Sequence, residues 1–96
     1  MKKEFRAYPQ SRVRRLSLRQ ALRLWRCTPD DIFDWWNIPT DDILEFYVDP
    51  ENEGDEVTGI VTKDSRYFVA FGGRDQDLEE YSSLSEMIDE ISQWSV

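Results

Sequence analysis

The sequence contains no histidine and a single cysteine, Cys27. The first absence removes the commonest general base and the commonest nitrogen ligand for metals. The second rules out an intrachain disulfide, so a cytoplasmic chain is expected. Long apolar runs are also missing, and none approaches the roughly 18 residues that suggest a membrane span. The basic start, Met1 to Lys3, is not followed by an apolar stretch, so no secretory signal is expected. Glycine is scarce, at four residues, and Gly72-Gly73 lacks the lysine and following helix of a phosphate-binding loop.

The 96 residues that are present are 40% apolar and 14% aromatic. Such a chain packs a core, because disordered segments lack these side chains. Its length supports one domain over 1–96, with a radius of gyration of about 12–13 Å. Charge is divided along it. Residues 1–27 hold nine Lys or Arg and one acid, while 28–96 hold three basic residues and nineteen acids, and the total is −8. That division suggests a basic arm or helix joined to an acidic body.

Local patterns place the elements. Residues 1–16 read as a basic arm, loosely ordered or carrying an edge strand at 4–8, where apolar and polar residues alternate. Ser17 and Gln20 form an S-x-x-Q capping box, and Leu18, Ala21, Leu22 and Trp25 recur at helical spacing, with Leu24 widening the stripe. Arg19, Arg23 and Arg26 fall on the opposite face. Thr28 then caps a second helix with Pro29 in its first turn, where Asp30 and Asp31 suit the positive end of the helix dipole. Ile32, Phe33, Trp35 and Trp36 are expected on one side and Asp30, Asp31 and Asp34 on the other. Ile43 to Val48 is rich in strand formers and is bounded by Asp49-Pro50, which favours a strand over a third helix. Val57 to Thr62 and Arg66 to Phe71, joined by Lys63-Asp64-Ser65, predict an antiparallel hairpin. Arg74 to Ser82 reads mostly as loop. Ser83 and Glu86 form a second capping box, before Leu84, Met87, Ile88 and Ile91, a stripe that Trp94 extends. The expected fold is α+β, a small α-α-β-β-β-α domain with a three-stranded antiparallel sheet covered on one face by helices.

Residues 17–36 resemble a helix-turn-helix. Ala21, Thr28-Pro29-Asp30 and Trp35 are similar in pattern to the winged-helix regulators of the mercury-resistance type, over about a fifth of the chain. That resemblance implies DNA binding, with Ile32 to Trp36 as the recognition helix. Trp25 and Arg26 stand where the family's turn carries glycine, and the spacing from Ala21 to Pro29 is one residue longer. Three aspartates on a helix in the major groove would be repelled by phosphates. Arginines on the first helix and before it (Arg12, Arg14, Arg15, Arg19, Arg23 and Arg26) suit phosphate contacts that carry little sequence information.

The acidic body supports another reading. Duplex DNA carries a negative charge every ~1.7 Å of its axis. Carboxylates on the second helix (Asp30, Asp31, Asp34), the loop 49–56 (Glu51, Glu53, Asp55) and the last helix (Glu86, Asp89, Glu90) would present a comparable field. In size and charge the chain is similar to small acidic phage proteins that block nucleases or CRISPR complexes. The expected function is a non-catalytic protein-binding module, of the DNA-mimic or anti-defence type, that meets a protein with a basic surface. A toxin-neutralising or immunity protein would use the same acidic face. Trp35 and Trp36, adjacent on one helix, are candidate interface anchors. The loop 49–55 resembles an EF-hand calcium loop, but Ile60 occupies the position of the bidentate glutamate. No metal or cofactor is expected. Cys27 has no imidazole partner, no acid pair is marked as a glycosidase dyad, and no catalytic role is expected.

Overall fold

A computed structural model describes residues 13–49, 57–71 and 78–93. The elements run β1 (Arg14–Leu16), α1 (Leu18–Trp25), α2 (Pro29–Trp36), a 3₁₀ turn (Thr40–Asp42), β2 (Ile43–Val48), β3 (Val57–Thr62), β4 (Tyr67–Phe71), β5 (Leu78–Tyr81) and α3 (Leu84–Gln93). The five strands form one antiparallel sheet in chain order. The α+β class holds, but among the described residues the sheet has five strands where three were expected. Arg14–Leu16, expected within the basic arm, pairs with β2, and Leu78–Tyr81, expected as loop, pairs with β4. Among the described residues both added strands stand at the edges of the sheet. They are short and charged, which protects an edge from further pairing but hides the strand pattern. The expected strand at 4–8, the loop 50–56, the Gly72-Gly73 pair and Trp94 lie outside the described residues.

The three helices begin where their local chemistry dictates. The Ser17 hydroxyl accepts from the Gln20 N–H, and the Gln20 side chain accepts from the Ser17 N–H at 2.8 Å. Thr28 and Asp31 repeat the same reciprocal box, with Pro29 in the first turn. In α3 the box is offset: the Ser83 hydroxyl accepts from Glu86 N–H, while the Glu86 carboxylate takes the N–H and hydroxyl of Ser82. Arg26 and Asn37 end α1 and α2 in the left-handed region, at φ 54° and 60°. The tight reversal between the helices follows from these caps.

The helices cover both faces of the sheet, not one. Strand β3 explains why. All six of its residues are buried, and alternate ones point to opposite faces. Ile60 joins Phe46, Val48 and Ala70 beneath Ala21 and Trp25 of α1 and Ile32 and Trp36 of α2. Val57 and Val61 join Val69 beneath Met87, Ile88 and Ile91 of α3. Between those valines Gly59 leaves room for α3. A Cβ there would stand 2.7 Å from Ile91 Cδ1 and 3.0 Å from Met87 Cε. The absence of a side chain at residue 59 therefore sets how closely α3 approaches the sheet.

A bulge marks the start of β2. Ile43 pairs with Thr62 and Glu45 with Val61, which leaves Leu44 without a cross-strand partner. Leu44 is exposed for that reason. Toward the β5 edge of the sheet, the Arg66 guanidinium forks onto the Glu80 carboxylate at 2.9 and 3.0 Å and lies over the Phe68 ring. The expected hairpin is present: β3 and β4 pair in register from Val57–Phe71 to Val61–Tyr67. Its turn is held by the Thr62 hydroxyl, which bonds to Asp64 and accepts from the Arg66 N–H, and Ser65 takes a left-handed φ of 68°.

Candidate protein interface

The outer surface of α2 is built by spacing. At about 100° per residue, Asp30, Phe33, Asp34 and Asn37 form one stripe, and Ile32, Trp35 and Trp36 form the opposite one. Ile32 and Trp36 are buried and Trp35 is half-buried against them. Trp25, Trp35 and Trp36 contact one another edge to face, with centroids 5.6–6.4 Å apart. Trp36 is 4% exposed and belongs to the core, while Trp35 is half-buried at the border of that core. Phe33, expected on the apolar side, instead points outward at 45% exposure.

Phe33 sits at the mouth of a shallow notch of about 210 Å³ between α2 and the 3₁₀ turn, lined also by Pro29, Asp30, Pro39, Thr40 and Asp41. Asp30 and Asp41 line it, Asp34 and Asp42 follow Phe33 and Asp41 in the chain, and all four are exposed and form no ion pair with another described residue. The result is an aromatic ring flanked by carboxylates, with no cation among the described residues that line the notch. Position 33 could have been identified from the sequence, because it falls on the aspartate stripe and not on the Ile32–Trp36 stripe.

The other expected acidic residues divide. Asp31 is half-buried, and its carboxylate accepts from the Thr28 N–H at 2.9 Å, a helix-capping role. Glu86 serves α3 in the same way. Asp89 is exposed and Glu90 half-buried on α3. Because α2 and α3 cover opposite faces of the sheet, Asp30 and Asp34 do not share a face with Glu86, Asp89 and Glu90. Glu51, Glu53 and Asp55 lie outside the described residues. Carboxylates crowd the end of α3 near β5. There the Tyr81 hydroxyl is pushed up to about 12, chiefly by burial and then by Glu90, Glu79 and Glu86.

Arg14, Arg15, Arg19, Arg23 and Arg26 are all exposed, and Arg12 lies outside the described residues. Arg15 reaches Glu45 at 3.6 Å. The others mark a basic surface along β1 and α1. Between these elements lies a groove of about 420 Å³, lined by Arg14, Leu16, Gln20, Arg23, Leu24 and Val48. Leu24, expected to widen the buried stripe, lines it at 47% exposure.

Among the described residues no group of three or more His, Cys, Asp or Glu side chains stands where it could hold a metal ion. Cys27 is half-buried against the α1–α2 side of the core. No described helix is long and apolar enough to cross a membrane. Comparison with protein families, with curated proteins and with solved structures found no match to the chain.

Proposed function

We propose that the protein is a non-catalytic protein-binding module whose docking surface is the outer stripe of α2 with the adjoining 3₁₀ turn. The observation that carries this reading is Phe33, exposed at 45% and set among Asp30, Asp34 and Asp41. A large exposed ring gives a partner apolar area to bury, and flanking carboxylates select a basic surface and speed encounter. Proteins that handle nucleic acids present such surfaces, so inhibition of a nucleic-acid-handling complex is the target class we favour. The acidic residues of α3 lie on the other face of the sheet and contribute field rather than contact.

The test is parallel affinity capture with the wild-type chain and with an Asp30→Lys/Asp34→Lys variant. A partner retained by the first and lost by the second supports the reading. An identical set of captured proteins contradicts it.

Duplex binding is a separate reading, favoured by the exposed arginines of α1. It predicts that the same variant binds a labelled random duplex at least as well as wild type, with affinity falling between about 50 and 200 mM salt. On the docking reading the duplex stays unbound.

A further inference from the structure

The arginine-rimmed groove between β1 and α1 has an apolar floor and wall, made by Leu16, Val48 and Leu24, with Arg14 and Arg23 at its rim. Neither rim arginine forms an ion pair with another described residue. A lining of this kind complements an occupant that supplies an apolar group with negative charge beside it. A phosphate backbone supplies only the second and would leave Leu24 in water. The α2 stripe of this same chain supplies both, since Phe33 is exposed on the same stripe as the exposed Asp30 and Asp34.

Resting on the reading of α2 as a docking surface, we propose that a second copy of the chain is one partner of that surface. Phe33 of one copy seats on Leu16, Val48 and Leu24 of the other, and Asp30 and Asp34 meet Arg14 and Arg23. The contact is a knob on one copy and a groove on the other, both carried by helices that cover the same sheet face. Reciprocal docking about a two-fold axis closes a dimer, and one-sided docking builds an open chain. The net charge of −8 opposes approach at long range. Screening beyond about 8 Å at physiological ionic strength leaves the local complementarity to decide.

The experiment is sedimentation of the full chain over a concentration series, alone and in mixtures of two variants. Phe33→Asp removes the knob and Leu24→Asp removes the groove. Both sites are exposed, and a cooperative urea transition with the midpoint of wild type, measured at a concentration where wild type is dissociated, shows that each variant is folded. The expected result is that wild type associates, each variant alone sediments as a monomer, and an equimolar mixture of the two associates again. Monomeric wild type throughout the series overturns the proposal, as does a mixture that stays monomeric or a single variant that associates like wild type. The proposal fails separately from the docking reading. If wild type is monomeric while Phe33→Asp still loses a captured partner, self-pairing is wrong and the α2 surface stands. If wild type associates but Phe33→Asp keeps every captured partner, the surface serves self-pairing and not a foreign protein.

Discussion

On one face of the sheet Trp25 and Trp36 close edge to face over Phe46, with Trp35 at their border. On the other face Met87, Ile88 and Ile91 lie over Val57, Val61 and Val69, with the gap at Gly59 filled by the tips of Ile91 and Met87. The tryptophan cluster rests under two short helices; the aliphatic cluster, bordered by Tyr47, Tyr67, Phe71 and Tyr81, rests under one. The difference extends to the outside. Leu24 and Phe33, two of the three large apolar residues left exposed among the described ones, belong to α1 and α2, and α3 exposes none. Large rings that fill the inner stripe let two eight-residue helices be held firmly, and their outer stripes are then free to carry recognition. The face under α3 serves packing.

Substitutions separate the two faces. The largest effect is expected on the aromatic side. Phe46→Ala removes the ring that both tryptophans contact and should destabilise the domain by about 3–5 kcal/mol in urea unfolding. Domains of this kind have about 5–15 kcal/mol in total, so this variant approaches the unfolded state. On the aliphatic side, Gly59→Ala should cost about 1–3 kcal/mol, because a methyl group must displace Ile91 Cδ1 and Met87 Cε. Ile91→Val deletes the closest atom, so adding it to Gly59→Ala should recover part of that loss, a coupling that a double-mutant cycle measures. If the two substitutions simply add, the close approach of α3 to β3 is not what residue 59 determines.

Smaller effects arise where charge meets the sheet edge. Tyr81 keeps its proton to about pH 12 in the folded chain, against an ordinary value of 10.0. Above the ordinary value the unfolded chain releases a proton that the folded chain retains, so stability should fall as pH rises between these two values. Tyr81→Phe should flatten that part of a stability–pH profile. Glu80 titrates below its ordinary range because Arg66 hydrogen-bonds its carboxylate. Its contribution is present above the ordinary carboxylate value and is lost as pH falls through the depressed one. Arg66→Gln should remove that dependence. The Arg66 and Glu80 side chains are both exposed, so this last change is small.

Much of this architecture could be read from short-range pattern. Ser17-Gln20 and Thr28-Pro29 start helices through bonds within four residues, so the chain itself states where α1 and α2 begin. Ile43 to Val48 and the hairpin about Lys63–Ser65 carry enough strand formers and turn residues to declare themselves. The edge strands do not. Arg14-Arg15-Leu16 and Leu78-Glu79-Glu80-Tyr81 are too short and too charged to show alternation, and only pairing with β2 and β4 makes them strands. Cover on both faces was legible in one place, Val57 to Thr62. Its four β-branched apolar or hydroxyl residues around Gly59 and Ile60 fit a strand buried on both sides. The candidate surface was half legible. Asp30 and Asp34 follow from helical spacing, but Phe33 is an apolar ring within the run Ile32 to Trp36 and is not set apart from the tryptophans by residue type. Ring size does not indicate which of two adjacent stripes faces the sheet, and tertiary packing settles it.

The central claim is that the outer stripe of α2 serves recognition and not stability. One triple variant, Asp30→Lys/Phe33→Ser/Asp34→Lys, tests it most directly when urea unfolding and partner capture are measured on the same preparation. The account predicts an unfolding free energy within about 0.5 kcal/mol of wild type, as expected of exposed positions, together with loss of the captured partner. A variant that keeps its partner, or one that loses it only because the domain has unfolded, would contradict the claim.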